Sequence, residues 1–470
     1  MQLPIVASTF TLLIASVLAG IAVVIYVPFV GDNLFLISAL PFVLALSMLL
    51  VFDKRKLFML ILLFRASGDI FLESSKFSTG VGVGGLINAL IILIAMLFVL
   101  ERPSGITRLI ISIWGGVLLV ALIASAHTPV PADAIRMFLA MVSNFAVFVI
   151  AFYLVKSRAD FQLFLGIVVL SSVLPVLYSF VDIALNSHVT SPDGFRLKST
   201  FSHANIFAFY LVFIISLVFY QIKSDLVALT QARRIGLALY LLLLIALLLL
   251  TKTRSAWAGC FVVFVVYGVL FERRYLLYLL LVPLAGLLIP SVRDRLLDLN
   301  SGNEYVQYAK LNSYAWRKLL WKTSLEWMKP LNSIMGYGLD SFRYYSPQFF
   351  PLAGKMNVGA HSTYVQWFFE TGIVGVTAAA WMYCRMLYTL WLGRTEDRLG
   401  TAIIITLVVE YLVFAYSDNM QYYLSFNWYF WFVMGAGCAL TMARLAQVQA
   451  EPPRKLAATS PEMALQRQTP

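Results

Sequence analysis

The sequence predicts an all-α membrane protein that crosses the bilayer about 12 to 14 times. Two observations carry this prediction. Hydrophobic residues make up 61% of the 470 residues and charged residues only 12%, and the mean hydropathy is +0.84. An ordinary globular chain is about 45–50% apolar and about 25% charged. The composition therefore excludes an ordinary soluble protein.

Apolar runs recur along almost the whole chain, and short polar breaks separate them. A run of about 20 apolar residues is long enough to cross a bilayer as a helix. The third run is short and holds Arg65, Asp69 and Glu73, and only residues 251–254 separate the ninth from the tenth, so the count stays at about 12 to 14. The runs cover residues 5–28, 33–52, 57–73, 82–100, 106–126, 134–155, 161–185, 203–221, 235–250, 255–271, 275–290, 361–391, 400–416 and 422–443.

Basic residues in the short connections predict the orientation, because Lys and Arg are retained on the cytoplasmic side. One set of connections carries basic clusters, such as residues 54–56 and the pair Arg273 and Arg274. Both termini are therefore predicted to be cytoplasmic, and the segment at about 291–360 is predicted to lie outside. The net charge of +12 is then mostly a topological signal, and it indicates no nucleic-acid partner.

One transmembrane domain is predicted over residues 1–443, followed by a disordered cytoplasmic tail over 444–470. The outer segment is too long to be a simple connector. Within it, Asn312 and Ser313 can cap an amphipathic helix that stops at Pro330. The apolar face of this helix is expected to lie in lipid at the headgroup level. The residues of that face are Trp316, Leu319, Leu320 and Trp327.

Several basic residues in the outer connections run against the orientation rule, which points to a local role such as binding phosphate. Lys252 and Arg254 stand in the turn TKTRSAW, where a guanidinium could hold a diphosphate through two parallel hydrogen bonds. The alternative is contact with anionic lipid headgroups. Arg196 precedes His203 and Asn205 in another outer loop, and His203 there also fits a structural hydrogen bond between helices.

His361 opens the stretch HSTYVQWFFETGIVG, where an imidazole can take a proton from a sugar hydroxyl. An ordinary hydrogen-bonding histidine is the alternative. Glu370 falls roughly 13 Å further along the same helix, and we expect it to face the protein interior in a structural role. Arg65 and Asp69 are four residues apart and are expected to neutralise each other at membrane depth.

The cysteines and histidines predict neither a metal centre nor a cofactor. The three cysteines, Cys260, Cys384 and Cys438, lie in separate apolar runs, and the four histidines form no metal-binding motif. We therefore expect no disulfide, no metal site and no cofactor.

Four stretches between residues 196 and 376 resemble motifs of the bacterial O-antigen ligase and polymerase superfamily of polytopic membrane proteins. HSTYVQWFFETGIVG is similar to its His-Asn/Ser-x-Tyr-Leu…Glu-x-Gly-x-x-Gly signature, with Ser362 where Asn is commoner. STFSHANIFAFYL resembles its Thr-Phe-x-x-x-Asn-x-x-Ala element. TKTRSAWAG resembles its Thr-x-Ser-Arg-Gly/Ala turn, with Thr253 in the usual Ser place. WRKLLWKTSLEWMKPLNSIMGYGLDSFR is similar to its amphipathic segment followed by Gly-x-Gly-x-x-x-Phe.

The resemblance implies a metal-independent glycosyltransferase of the bacterial inner membrane, which moves a glycan from undecaprenyl diphosphate to an acceptor on the periplasmic side. It places the catalytic histidine at His361 and the arginine of the turn at Arg254. The predicted ligands of the diphosphate are Arg196, Lys252, Arg254 and Arg343. The predicted supporting residues are Arg136, His203, Asn205, Arg317, Tyr364 and Glu370.

Three functions remain to be compared. The leading prediction is an O-antigen ligase whose acceptor is the lipid A-core oligosaccharide. The near alternative is a polymerase of O antigen or exopolysaccharide, and an Arg-x10-Gly pattern from Arg343 to Gly354 adds little to it. A transporter or flippase of lipid-linked sugar should show paired broken helices or internal repeats, and the sequence shows neither. No residue discriminates the ligase from the polymerase.

Overall fold

The computed structural model describes residues 46–74, 83–187, 195–286, 293, 311, 313–354 and 356–450. All regular secondary structure in this part of the chain is helical. Nine of the described helical segments are long and apolar enough to cross a membrane, and Arg254–Leu270 is a shorter apolar helix. The predicted all-α polytopic fold is therefore confirmed. The predicted run at 5–28, and that at 33–52 up to residue 45, lie outside the described residues.

The helices follow the predicted runs closely. Those before residue 291 are α1 Lys54–Phe64, α2 Asp69–Ser74, α3 Val83–Glu101, α4 Arg108–Ala126, α5 Pro131–Leu154, α6 Arg158–Leu170, α7 Val173–Asn186, α8 Ala204–Lys223, α9 Gln231–Leu250, α10 Arg254–Leu270 and α11 Arg274–Gly286. Those after residue 311 are α12 Ser313–Trp327, α13 Asn332–Met335, α14 Ser341–Phe349, α15 Thr363–Leu392, α16 Arg398–Ser417 and α17 Leu424–Ala450. Residues 444–450, predicted to belong to the disordered tail, are thus the end of α17.

The third predicted run does not form one helix but divides into α1 and α2. The loop before α8 inserts at this break: the Thr200 hydroxyl donates to the carbonyl of Ala66 at 2.8 Å, and the N–H of Ile70 donates to the carbonyl of Thr200 at 3.1 Å. The expected ion pair of Arg65 with Asp69 does form across the break, at 3.2 Å and with both side chains buried. The pairing could be predicted from spacing, but the break depends on a distant loop.

α8 lies at the centre of the bundle, since every residue from 204 to 220 is buried. Aromatic rings fill the space around it. The rings of Tyr210 on α8 and Tyr429 on α17 lie 5.3 Å apart, and those of Trp114 on α4 and Trp431 on α17 lie 4.5 Å apart. This close-packed centre fixes the helix ends from which the loops emerge.

The connections gather at two ends of the bundle. At one end, the ion pairs Lys54–Glu101, Arg55–Asp160 and Lys223–Glu272 join connections that the basic pattern assigns to one side. We call this the basic end. The other end carries α12 to α14 and the connections at 195–203, 251–253 and 418–423. We call this the site end. This grouping agrees with the prediction that connections rich in Lys and Arg alternate along the chain with connections that have few basic residues.

The apolar face of α12 packs against protein rather than lipid, so the expectation of a headgroup-level helix face is wrong for these side chains. Leu320 is fully buried. The Trp316 ring lies 5.0 Å from that of Phe350, and the Trp327 ring lies 6.1 Å from that of Phe369 on α15. Because α14 and α15 present their own apolar side chains here, α12 removes its face from water by joining this small core.

A kink in α15 explains why glycine stands at position 372 and in the Gly-x-Gly stretch at 336–338. Gly372 has a φ of +64° inside the helix, and the N–H of Gly338 donates to the carbonyl of Glu370 at 3.0 Å. A Cβ on Gly372 would lie 2.2 Å from the carbonyl oxygen of Ile334, and a Cβ on Gly336 would lie 2.2 Å from the carbonyl of Glu370. Only glycine allows both this φ and this approach of two backbones.

Candidate active site

Four segments that are far apart in sequence meet at the site end. They are the loop at 195–203, the turn at 251–253 between α9 and α10, the region at 340–370, and the connection at 418–423 between α16 and α17. Most of the sequence-predicted site residues lie in these segments, and hydrogen bonds join one segment to the next.

Arg196 joins the first loop to the α9–α10 turn. Its Nε donates to the carbonyl of Thr251 at 3.1 Å, and its Nη2 donates to Thr253 Oγ1 at 3.0 Å and to Asn205 Oδ1 at 2.7 Å. These three acceptors are neutral. The three bonds therefore hold the guanidinium in one orientation at this turn.

Lys252 and Arg254 lie in the same turn. Lys252 has a φ of 53°, and Arg254 is the first residue of α10. Both side chains are half-buried. The N-terminus of a helix carries a partial positive charge and unpaired N–H groups, which add to the attraction for an anion at this turn.

Asp418 links this turn to the His361 segment. Its carboxylate accepts a hydrogen bond from Asn205 Nδ2 at 2.8 Å and another from the Tyr423 hydroxyl. Its backbone carbonyl accepts from the N–H and the hydroxyl of Thr363, at 3.1 and 2.9 Å. Burial raises the pKa of Asp418. Hydrogen bonds thus run from Arg196 through Asn205 to the start of α15.

His361 lies two residues before the first residue of α15 and has a φ of 49°. Its ring lies 5.7 Å from the ring of Trp316 on α12. Withdrawal from water, together with positive charge on Arg317, His203 and Arg343, lowers the pKa of His361 to about 4. The imidazole is therefore neutral at pH 7, and one of its nitrogens can accept a proton.

His203 is the residue before α8, and its Nδ1 accepts a hydrogen bond from the N–H of Asn205 at 3.1 Å. Withdrawal from water, together with the positive charges of Arg196, Arg317 and Lys198, lowers the pKa of His203 to about 4. The described contact caps α8 itself, which is a structural role but not the hydrogen bond between helices that the sequence left open for this residue.

Three cations at the site end have no carboxylate partner among the described residues. No ion pair in the described part of the chain includes Lys252, Arg317 or Arg343. Arg317 on α12 is close enough to lower the pKa of His361, and the Arg343 guanidinium lies 4.7 Å from the ring centroid of Tyr422. This arrangement can attract a multiply charged anion beside a neutral base.

A second chain of hydrogen bonds runs beneath His361. The Tyr422 hydroxyl donates to Asp340, and Gln366 Nε2 donates to the Tyr422 oxygen and, at 2.8 Å, to Glu370. Asn419 Nδ2 donates to Gln366 Oε1 at 2.8 Å. Burial raises the pKa of Asp340. Fully buried Glu370 is thus connected to the site through Gln366 rather than by direct contact with the histidine.

Two buried carboxylates hold the loop at 195–203. Asp182 on α7 accepts hydrogen bonds from the backbone N–H groups of residues 198–199, at 3.1 and 2.8 Å. Asp69 on α2 accepts from the N–H and the hydroxyl of Ser202, at 3.2 and 3.3 Å. The loop that presents Arg196 is therefore fixed by groups outside every recognised motif.

Two predicted supporting residues do not join the cluster. The Tyr364 hydroxyl donates to the carbonyl of Leu412 on α16 at 2.6 Å, on the face of α15 that lines an apolar cavity. Arg136 is exposed and pairs with Asp133 at 3.0 Å in the first turns of α5. Sequence position at the correct end of a helix placed them near the site, but their side-chain directions take them elsewhere.

The sequence reasoning missed Asp340, Asp418, Asn419 and Tyr422. A signal for three of them existed: the stretch SDNMQYY is strongly polar for a connection between two apolar runs. Asp340 lies within a recognised stretch, beside Gly338, but a single carboxylate carried no pattern of its own.

Comparison with protein families gives one match. Residues 238–380 match the family model described as O-antigen ligase. The match includes the α9–α10 turn, α12 to α14, His361 and the first turns of α15. No curated protein matches the chain.

Proposed function

Because residues 238–380 match the family model described as O-antigen ligase, we propose that the chain is an O-antigen ligase. It transfers a glycan from undecaprenyl diphosphate to the lipid A-core oligosaccharide. The protein is proposed to lie in the bacterial inner membrane, with the site end facing the periplasm and both termini in the cytoplasm. The observation that carries the proposal is the neutral imidazole of His361 beside a group of cations.

The donor diphosphate is proposed to bind the site cations Arg196, Lys252, Arg254, Arg317 and Arg343. Arg196 and Arg254 can each present two parallel N–H groups to phosphate oxygens, whereas Lys252 supplies a point charge. Hydrogen bonds to neutral acceptors hold the Arg196 guanidinium in place before the donor arrives. The side-chain entropy that is lost when Arg196 is oriented is therefore lost during folding rather than during donor binding.

His361 is proposed to act as the general base. The acceptor hydroxyl attacks the anomeric carbon of the donor sugar, and its proton passes to a nitrogen of His361. The bond between that carbon and the diphosphate oxygen breaks, and the electron pair leaves with undecaprenyl diphosphate. The site cations stabilise the negative charge that develops on the leaving group.

Donor binding should strengthen this base. In the free protein, withdrawal from water holds the pKa of His361 near 4, against an ordinary value of 6.5, and positive charge on Arg317 and Arg343 contributes to this lowering. A bound diphosphate offsets that charge, which raises the pKa toward the range in which a base works at neutral pH. The histidine therefore becomes an effective base once the leaving group is in place.

Direct attack inverts the anomeric configuration. A retaining route needs a side-chain nucleophile beside the sugar, and in this proposal the acceptor hydroxyl, activated by His361, attacks the sugar instead. Diphosphate is a good leaving group once cations surround it. We therefore propose an inverting reaction that needs no metal ion.

The experiment is a transfer assay with purified protein, an undecaprenyl diphosphate-linked glycan, lipid A-core and an excess of chelator. We expect glycosylated lipid A-core, released undecaprenyl diphosphate and an inverted linkage. Elongation of the lipid-linked glycan, with lipid A-core left unmodified, would identify a polymerase instead. Loss of activity in chelator and recovery with a divalent cation would contradict the metal-independent mechanism.

A further inference from the structure

The imidazole of His361 is oriented by its backbone rather than by a polar side chain. Its ring lies 5.7 Å from the Trp316 ring, and no side chain among the described residues forms a hydrogen bond with either of its nitrogens. A catalytic histidine is commonly oriented by a third group that bonds to its second nitrogen. Here the direction of the ring therefore depends on the backbone of the segment at 360–362.

This backbone has an unfavourable conformation. The φ of His361 is 49°, in the left-handed region that is uncommon for residues other than glycine. Such a conformation persists only where the surrounding structure holds it. A relaxed φ would carry the imidazole away from its present position beside the site cations. The groups that hold residues 360–362 are therefore the groups that position the proposed base.

Two buried amide side chains hold the peptide groups on both sides of His361. Gln366 Oε1 accepts a hydrogen bond from the N–H of Ala360 at 3.3 Å. Asn419 Oδ1 accepts one from the N–H of Ser362 at 2.9 Å. The two amides also bond to each other, because Asn419 Nδ2 donates to Gln366 Oε1 at 2.8 Å. They thus form one support that reaches from the residue before His361 to the residue after it.

The hydrogen bonds fix the orientation of each amide. A backbone N–H can only donate, so the oxygen of each amide must face the segment at 360–362. The nitrogen of Asn419 then donates to Gln366, and the nitrogen of Gln366 donates to the Tyr422 oxygen and to Glu370. An apolar side chain of similar size can make none of these bonds, and a carboxylate can only accept. The support therefore requires an amide at both positions.

The connection between α16 and α17 brings Asn419 to this position. The carbonyl of Asp418 accepts from the N–H and the hydroxyl of Thr363, and the N–H of Met420 donates to Thr363 Oγ1 at 2.9 Å. A Cβ on Gly359 would lie 2.8 Å from Asn419 Nδ2. Glycine at this position therefore leaves room for the amide, and bonds on both sides of Asn419 hold it against the start of α15.

We propose that Asn419 and Gln366 are positioning residues for the general base, and that together they hold His361 in the left-handed conformation that directs its imidazole toward the acceptor hydroxyl. This inference rests on the proposed role of His361. Gln366 is fully buried and Asn419 is 7% exposed, so both act on the substrate through the histidine. Their removal should lower kcat without weakening donor binding.

The position of His361 can be measured without catalysis. Diethyl pyrocarbonate acylates neutral imidazole, and mass spectrometry of the full chain in maltoside detergent gives the rate for each histidine. His127 is exposed and serves as the internal reference. We expect His361 to react more slowly than His127 in the wild type, because its ring is half-buried beside Trp316. In Asn419→Leu the ratio of the two rates should rise severalfold, because the relaxed backbone releases the ring to water.

The same variant tests the effect on catalysis. Asn419→Leu keeps the approximate size of the side chain and removes both hydrogen bonds, so kcat should fall about 10²-fold with little change in the donor KM. In the His361→Ala background the same substitution should change kcat little, because its effect passes through the imidazole. An equal fall of kcat in both backgrounds would show a merely structural role and overturn the proposal.

Asn427→Leu is the matched control. Asn427 is a fully buried amide whose Nδ2 donates to the carbonyl of Met420 in the same connection, at 2.7 Å, and it does not bond to the segment at 360–362. This variant should lower the melting temperature and leave both kcat and the modification ratio near wild type. A rise of the ratio equal to that in Asn419→Leu would contradict the specific role of Asn419.

Asn419→Asp decides the question if Asn419→Leu does not fold. The carboxylate keeps the acceptor for the N–H of Ser362 but cannot donate to Gln366, so kcat should fall about tenfold. A wild-type modification ratio together with a wild-type kcat, in either variant of Asn419, would overturn the proposal. A raised ratio in a protein whose wild type transfers no glycan would instead count against the proposed function alone, because the modification does not depend on catalysis.

Discussion

The two ends of the bundle hold their charges in different ways. At the basic end, Lys54, Arg55 and Lys223 each pair with a carboxylate. At the site end, Lys252, Arg317 and Arg343 form no ion pair in the described part of the chain. A carboxylate partner offsets the positive charge of a cation, whereas a cation without such a partner remains available to an incoming anion. The basic end also holds a cation without an ion pair, Arg394, which lies over the ring of Trp391. What distinguishes Arg317 and Arg343 is therefore that they lie close enough to His361 to lower its pKa.

The largest effect is expected from His361→Ala. Loss of a general base should lower turnover roughly 10²–10⁴-fold while the protein remains folded. The control is His127→Ala, since His127 is exposed at the end of α4 and its ring bonds to the carbonyl of Ile123. Measured transfer rates near wild type in a folded His361→Ala protein would contradict the assignment of the base.

A smaller but clear effect is expected from Arg254→Lys, which keeps the charge and loses the planar pair of donors. We expect the donor KM to rise about 10- to 100-fold, because hydrogen bonds to charged groups contribute about 1.5–3 kcal/mol. Arg394→Lys at the basic end is the matched control, because Arg394 stacks on Trp391 at the surface. An unchanged donor KM in both variants would contradict the assignment of Arg254 as a ligand of the diphosphate.

Asp182→Asn tests whether the Arg196 loop must be held. An amide keeps the size of the carboxylate but bonds less strongly to the N–H groups at 198–199. We expect about a tenfold higher donor KM with little change in kcat, because the loop orients Arg196 rather than contacting the reacting carbon. Asp160→Asn at the basic end removes one member of a capping box. It should lower the melting temperature slightly and leave the donor KM unchanged.

The smallest predicted effect is a shift in pH dependence. The free-enzyme kcat/KM should fall only as the pH drops through about 4, because His361 works in its neutral form and its pKa is lowered to about 4. Arg317→Gln removes a neighbouring positive charge, which raises that pKa. The acid limb should therefore move to higher pH. An unchanged limb in Arg317→Gln would show that another group controls it.

Sequence patterns predicted the individual parts of the site better than their connections. The motif residues Arg196, Arg254 and His361 fall in connected segments at one end of the bundle, and their roles stay predictions. The connections at 418–423 could not be predicted from spacing, because Asp418 is more than 200 positions from Asn205, its hydrogen-bond partner at 2.8 Å. Such a contact depends on the packing of α8 against α16 and α17.

The sequence by itself determined the membrane class and the alternation of basic connections, because both follow from composition and from local runs of side chains. It also indicated the turn at 251–254 and a helix start close to His361; α15 begins at Thr363. The tertiary structure alone decided that α12 packs on protein instead of lipid, that a loop divides the third run into α1 and α2, and that Asp69 and Asp182 hold that loop. These outcomes depend on which surfaces meet in the folded protein. Removing an apolar face from water is favourable whether lipid or protein covers it, so the apolar pattern of the sequence does not show which of the two it contacts.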